Sequence, residues 1–211
     1  MIARLSRRLT SFFVVRGIVP ENEMDVYVYG FEILMSTLQN FIALAILSVL
    51  IGKVIETVFF LLGFIPLRLI AGGYHAKNHF RCFLILMLVY SAFILLIFII
   101  PVEYATRSII LSYSITAILV FIIAPSEDAN KPMSSREAIV FRKRSRIAIA
   151  SYAALIGAVA TVMADKEYAL SLTLGLLTVG LSLLANLTKG RKKAGMNKAV
   201  SGEGDINNEE A

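Results

Sequence analysis

Phe83-Leu-Ile-Leu-Met-Leu-Val-Tyr-Ser-Ala-Phe-Ile-Leu-Leu-Ile-Phe-Ile-Ile100 contains no charged residue, and its reading decides the fold. As a helix it would rise about 27 Å at 1.5 Å per residue, close to the roughly 30 Å hydrocarbon thickness of a bilayer. Runs of similar length recur outward from it at Phe31–Ile51, Val54–Ala71, Ser108–Ala124, Ile147–Ala164 and Tyr168–Leu187, punctuated by charge, Gly or Pro. The first two carry Glu32, Gln39, Asn40, Glu56 and Arg68, so four spans are clear and two are interrupted by polar groups. The expected fold is an all-α, polytopic integral membrane protein with about six transmembrane helices, four at the least.

Composition points the same way. Of 211 residues, 57% are hydrophobic and 17% charged, with a mean hydropathy of +0.75, whereas soluble domains carry about 25% charged residues. A disordered chain is excluded, and one water-soluble globule of this size cannot hide so much apolar surface. The single cysteine excludes an intramolecular disulfide. The net charge of +6 would suit nucleic acid, but its distribution gives it another meaning.

Eighteen of the Lys and Arg residues fall in four regions: the N-terminus (Arg4, Arg7, Arg8, Arg16), the second loop (Arg68, Lys77, Arg81), the fourth loop (Lys131, Arg136, Arg142, Lys143, Arg144, Arg146) and the tail (Lys189, Arg191, Lys192, Lys193, Lys198). Only Lys53, Arg107 and Lys166 lie on the other side. Positive residues in short loops stay cytoplasmic, so both termini and the second and fourth loops are expected there, facing anionic membrane lipids rather than nucleic acid.

Leu5, Leu9 and Phe12 recur at helical spacing opposite Arg4, Arg7 and Arg8, which predicts an N-terminal amphipathic helix lying in the interface and not a cleaved signal peptide. Residues 189–211 pass from a basic block to an acidic, Gly- and Asn-rich end, and are read as a disordered cytoplasmic tail behind a membrane domain over 1–188. The fifth span carries Ala148, Ala150, Ser151, Ala153, Ala154, Gly157, Ala158 and Ala160. Small side chains let helices approach closely, so this span is expected to be tightly packed, and a homodimer through such packing is one expectation.

Both histidines and the only cysteine lie in Arg68-Leu-Ile-Ala-Gly-Gly-Tyr-His75-Ala-Lys-Asn-His79-Phe-Arg-Cys82. A cysteine attacks carbonyls as the thiolate, which a neighbouring imidazole, nearby cations and a helix N-terminus all favour. On an unbroken helix His75 and Cys82 would stand about 10.5 Å apart along the axis. Either the chain around Gly72 and Gly73 folds His75 back, or His79, three residues before Cys82, is the partner; spacing alone favours His79. The plainer alternatives are an inert cysteine in an apolar helix and histidines in a solvated basic strip. No metal site is expected, since three such ligands without a carboxylate match zinc spacing poorly, and no cofactor is called for. Glu32, Ser36, Gln39 and Asn40 make one polar stripe on the first span, either lining a substrate chamber or bonding between helices.

Three segments, in order, resemble the accessory gene regulator B family: Tyr27-Val-Tyr-Gly-Phe-Glu32, Arg68 through Gly72-Gly73-Tyr74-His75-Ala76 to Cys82, and the loop from Pro125 to Asn130-Lys131-Pro132. The similarity covers about residues 20 to 190. It implies a membrane cysteine endopeptidase of quorum sensing, with Cys82 as nucleophile and His75 as its base in place of His79. The implied substrate is a small amphipathic precursor peptide, cut through a thioester and closed to a thiolactone or lactone. Supporting roles would fall to Arg68, Gly72, Gly73, Asn130, Lys131 and Pro132 of these segments, or to Glu32 and Gln39, one of which could orient His75. A peptide exporter or a non-catalytic membrane scaffold is the alternative, although an ATP-binding loop and matched half-repeats are missing from the sequence.

Overall fold

The computed structural model describes residues 2–73, 79–126, 134–163 and 165–206. Among these, seven α-helices follow one another: α1 (Ile2–Val15), α2 (Met24–Ile51), α3 (Val54–Ala71), α4 (His79–Ile99), α5 (Val102–Ile123), α6 (Ser135–Val162) and α7 (Lys166–Ile206). Six of them, α2 to α7, are long and apolar enough to cross a membrane, which makes the chain a multi-pass membrane protein. Helix is what hydrocarbon demands, because a spanning backbone must satisfy its own N–H and C=O groups. The polar residues of the first two spans therefore sit within helices, with Glu56 and Thr57 of α3 buried.

Helix ends follow local chemistry. Pro101 supplies the extended N-cap of α5. Ser134 opens α6 with a capping box: its hydroxyl accepts from the Glu137 N–H at 3.3 Å, and the Glu137 carboxylate accepts from the Ser134 N–H at 2.9 Å. The backbone of α7 runs on as helix to Ile206, across the stretch whose composition predicts disorder; extending a formed helix is far easier than starting one, and Lys, Arg and Ala are good helix formers.

The chain divides into two compact units. In the first, residues 1–54 and 76–91, α1 packs along α2. Ser6 and Thr10, one turn apart, are fully buried, and the Phe13 ring stacks on Phe31 with centroids 5.7 Å apart. Leu5 and Phe12 remain half exposed, as do the arginines around them. The amphipathic helix thus turns its small hydroxyl residues to protein and leaves Leu5 and Phe12 exposed on its outer side.

In the second unit, residues 55–75 and 92–211, the core is α7. Leu170, Leu172, Leu176, Val179 and Leu183 are fully buried on it. It lies so close to α3 that a Cβ on Gly63 would strike the Leu172 carbonyl and one on Gly175 the Phe60 carbonyl, so each crossing residue must lack a side chain. Phe59 stacks on Tyr168 at 5.4 Å and Phe60 on Phe93 at 4.4 Å. The Tyr113 hydroxyl donates to the Ile149 carbonyl at 2.8 Å, joining α5 to α6.

Pro66 lies inside α3. Having no N–H, it cannot serve the Leu62 carbonyl one turn before it. The Tyr152 hydroxyl of α6 donates to that carbonyl at 2.7 Å, so a side chain from another helix closes the gap that proline opens.

The fifth span corrects an expectation. α6 buries the stripe Ser145, Ile149, Tyr152, Ile156 and Val159, while Ala150, Ala153, Ala154, Gly157 and Ala158 lie exposed on the other side. The close approach within this chain belongs to α7, through its glycines. In lipid both faces of a helix are apolar, so bulky interlocking residues win the buried face where they fit their neighbours.

Candidate functional site

Arg68 stands in the last turn of α3, and α3 stops because the next two residues leave helical space: Gly72 has φ +77° and Gly73 φ +135°. Both angles disfavour any residue with a side chain. Space forbids one as well. A Cβ on Gly72 would lie 2.5 Å from the Ser126 carbonyl oxygen, and one on Gly73 would lie 2.5 Å from the Ser182 hydroxyl and collide with the Arg68 guanidinium.

The reason for this crowding is a polar cluster gathered from three distant segments. The Arg68 Nη1 group donates to the Ser182 hydroxyl of α7 and, at 3.5 Å, to the Gly72 carbonyl. The Ser126 N–H donates to the Ala71 carbonyl at 3.0 Å, and Gly72 and Ser126 form an isolated parallel bridge. Asn186 Nδ2 donates to the Ser126 hydroxyl at 2.7 Å. Ser182 and Asn186, four residues apart on α7, therefore hold both the Gly72-Gly73 turn and the start of the fourth loop. Arg68 is half-buried here, where a charge-assisted hydrogen bond is worth more than in water.

Cys82 is the fourth residue of α4 and is half-buried, with a free thiol. Its own N–H is among the first four of the helix, which have no acceptor within the helix. His79 begins α4 and lies one turn before Cys82. His75 lies outside the described residues, as do Asn130, Lys131 and Pro132. The break at Gly72-Gly73 separates α3 from α4, so Arg68 and Cys82 do not belong to one continuous helix.

The stripe on α2 is divided by its surroundings. Ser36 is buried and Glu32 half-buried, whereas Gln39 is exposed. Asn40 is half-buried, and its Oδ1 is shielded without a hydrogen-bond partner among the described residues.

Sequence reasoning reached Arg68, Gly72 and Gly73 but missed Ser126, Ser182 and Asn186. A signal was present: Ser182 and Asn186 are two polar residues at i and i+4 in the apolar run Leu181-Ser-Leu-Leu-Ala-Asn-Leu187, the same kind of stripe that drew attention to α2.

The sequence profile described as accessory gene regulator B matches residues 6–183. Protein FsrB of Enterococcus faecalis is 30% identical over 128 residues, covering 57% of this chain and 50% of the relative. The chain thus spans about half the length of the curated relative it matches. No solved structure matches.

Proposed function

The chain belongs to the accessory gene regulator B family, and from that premise we propose that it is a membrane-embedded cysteine endopeptidase of a quorum-sensing system. Its substrate would be a small amphipathic precursor peptide lying along the cytoplasmic leaflet, the side on which the lopsided distribution of Lys and Arg would keep both termini and the second and fourth loops. The observation that carries the reading is the position of the only cysteine: Cys82 is half-buried in the first turn of α4, and follows in sequence the glycine turn that Arg68, Ser126, Ser182 and Asn186 hold.

The Cys82 sulfur attacks one peptide carbonyl of the precursor. Its proton passes to His75, which returns it to the leaving amine as the C–N bond breaks. The acidic C-terminal piece departs, and the remaining peptide is held as a thioester on Cys82. The oxyanion formed on the way accepts from backbone N–H groups at the start of α4. A thiol or hydroxyl of the bound peptide then displaces Cys82, which leaves with a proton, and a thiolactone or lactone ring is released. Water in its place would give a linear peptide, so the site must exclude it.

The test is cleavage of the cognate precursor by the full chain in vesicles. Cys82→Ala is expected to abolish cleavage while leaving membrane insertion intact, His75→Ala to come close to that, and His79→Ala to act more mildly. Intact-mass analysis should find a peptide adduct on wild type that Cys82→Ala lacks. Full turnover by Cys82→Ala would end the proposal.

A further inference from the structure

We propose that the exposed face of α6 is a binding site for one anionic phospholipid. Arg142, Lys143, Arg146, Ile139, Ile147 and Ala150 line a shallow groove along this face, at spacings that put all six on one side of the helix. The side chains of Arg142 and Lys143 make no ion pair or hydrogen bond among the described residues. Arg146 is steadied against α5: Nη2 donates to the Phe121 carbonyl at 3.4 Å, and the guanidinium lies 5.3 Å from the Phe121 ring centroid. Three cations thus converge at one end of a membrane-spanning helix.

Below them the surface changes character. Ala150, Ala153, Ala154, Gly157 and Ala158 are all exposed, and a Cβ on Gly157 would meet nothing within 4 Å. Arg146 to Gly157 spans about 16 Å of helix, which is close to half of a roughly 30 Å hydrocarbon layer. A cationic mouth above a smooth trough one leaflet deep has the shape of a phospholipid: the phosphate sits among the cations, and an acyl chain lies along the small residues.

Other occupants fit less well. A second copy of this chain, paired about an axis along the membrane normal, would set three cations against three at the same depth. An acidic peptide would satisfy the mouth and leave the trough bare. Basic pockets at helix surfaces on the positive side of a membrane are known to take anionic headgroups.

The experiment uses the full chain in phosphatidylcholine nanodiscs doped with phosphatidylglycerol that carries a diazirine on one acyl chain. After illumination, adducts are mapped by mass spectrometry and compared with those from a phosphatidylcholine probe of the same chain. Adducts are expected on residues 150–158, and at sub-saturating probe each of Arg142→Gln, Lys143→Gln and Arg146→Gln should lower the yield about fivefold, equivalent to ~1 kcal/mol. Lys192→Gln should leave it unchanged. Ala154→Leu with Gly157→Leu fills the trough without touching a charge or the core, and should lower the yield as well. Equal labelling by the two probes, or a yield that survives both the charge and the trough substitutions, would overturn the proposal. Displacement of the probe by an acidic peptide, with the trough variants behaving as wild type, would assign the groove to peptide and overturn it too. None of these readouts depends on peptidase activity.

Discussion

Tyr152→Phe removes a single oxygen, and its effect should depend on a proline in another helix. The Tyr152 hydroxyl donates to the Leu62 carbonyl at 2.7 Å, and Pro66 is why that carbonyl lacks a partner within α3. In the variant the carbonyl is left in an apolar interior with no donor, which costs about 1–3 kcal/mol. In a Pro66→Ala background, the alanine brings back an N–H for Leu62, and the same substitution should cost only the roughly 0.6 kcal/mol of an ordinary hydrogen bond between membrane helices. The coupling between the two changes should therefore be about 0.4–2.4 kcal/mol, as expected of residues that share one partner. Unfolding of the four proteins in mixed micelles, followed by helicity, reads it directly; at about 2–4 °C per kcal/mol for a chain of this size, Tyr152→Phe alone should lower Tm by roughly 2–12 °C. An equal loss with and without Pro66 would refute the reasoning, because the hydroxyl would then not be standing in for the missing N–H.

Gly73→Ala should be damaging beyond its size: a disfavoured φ costs about 1–3 kcal/mol, and displacing Arg68 from Ser182 costs about 1.5–3 kcal/mol more. Adding Ser182→Ala should then cost less in that background than in wild type, and a double-mutant cycle in detergent checks this. Gly175→Val at the α3 crossing should prevent close approach to the Phe60 carbonyl, seen as loss of the folded fraction on size exclusion, whereas Gly157→Val on the exposed face of α6 should be tolerated.

The apolar runs made the helices legible because in hydrocarbon a backbone has few other ways to satisfy itself. The run Val54–Ala71 coincides with α3, whereas α2, α5 and α6 begin at Met24, Val102 and Ser135, ahead of the runs that start at Phe31, Ser108 and Ile147, because a helix runs on into polar residues that composition alone leaves out of a span. Which side of each helix meets its neighbours was not legible. In water the apolar stripe is the buried one, but a membrane helix is apolar all round, and the small residues of α6 gave no hint that Ile149, Tyr152 and Ile156 would be buried instead. The glycine pair could be read as a break, yet its tight surroundings come from Ser126 against Gly72 and Ser182 against Gly73, 54 and 109 residues further along. No local pattern reports on partners that far away, and only the i, i+4 placement of Ser182 and Asn186 hinted at them.

The burial of α7 bears on how the molecule is made. It is translated after α3, α5 and α6, yet the glycine crossing with α3 and the clasp on Arg68 both need it. Until α7 leaves the ribosome, α3 has no Gly175 to receive it and a half-buried guanidinium waits without its serine. Biogenesis of this half of the protein therefore holds α3, α5 and α6 in the bilayer before the helix that packs among them exists.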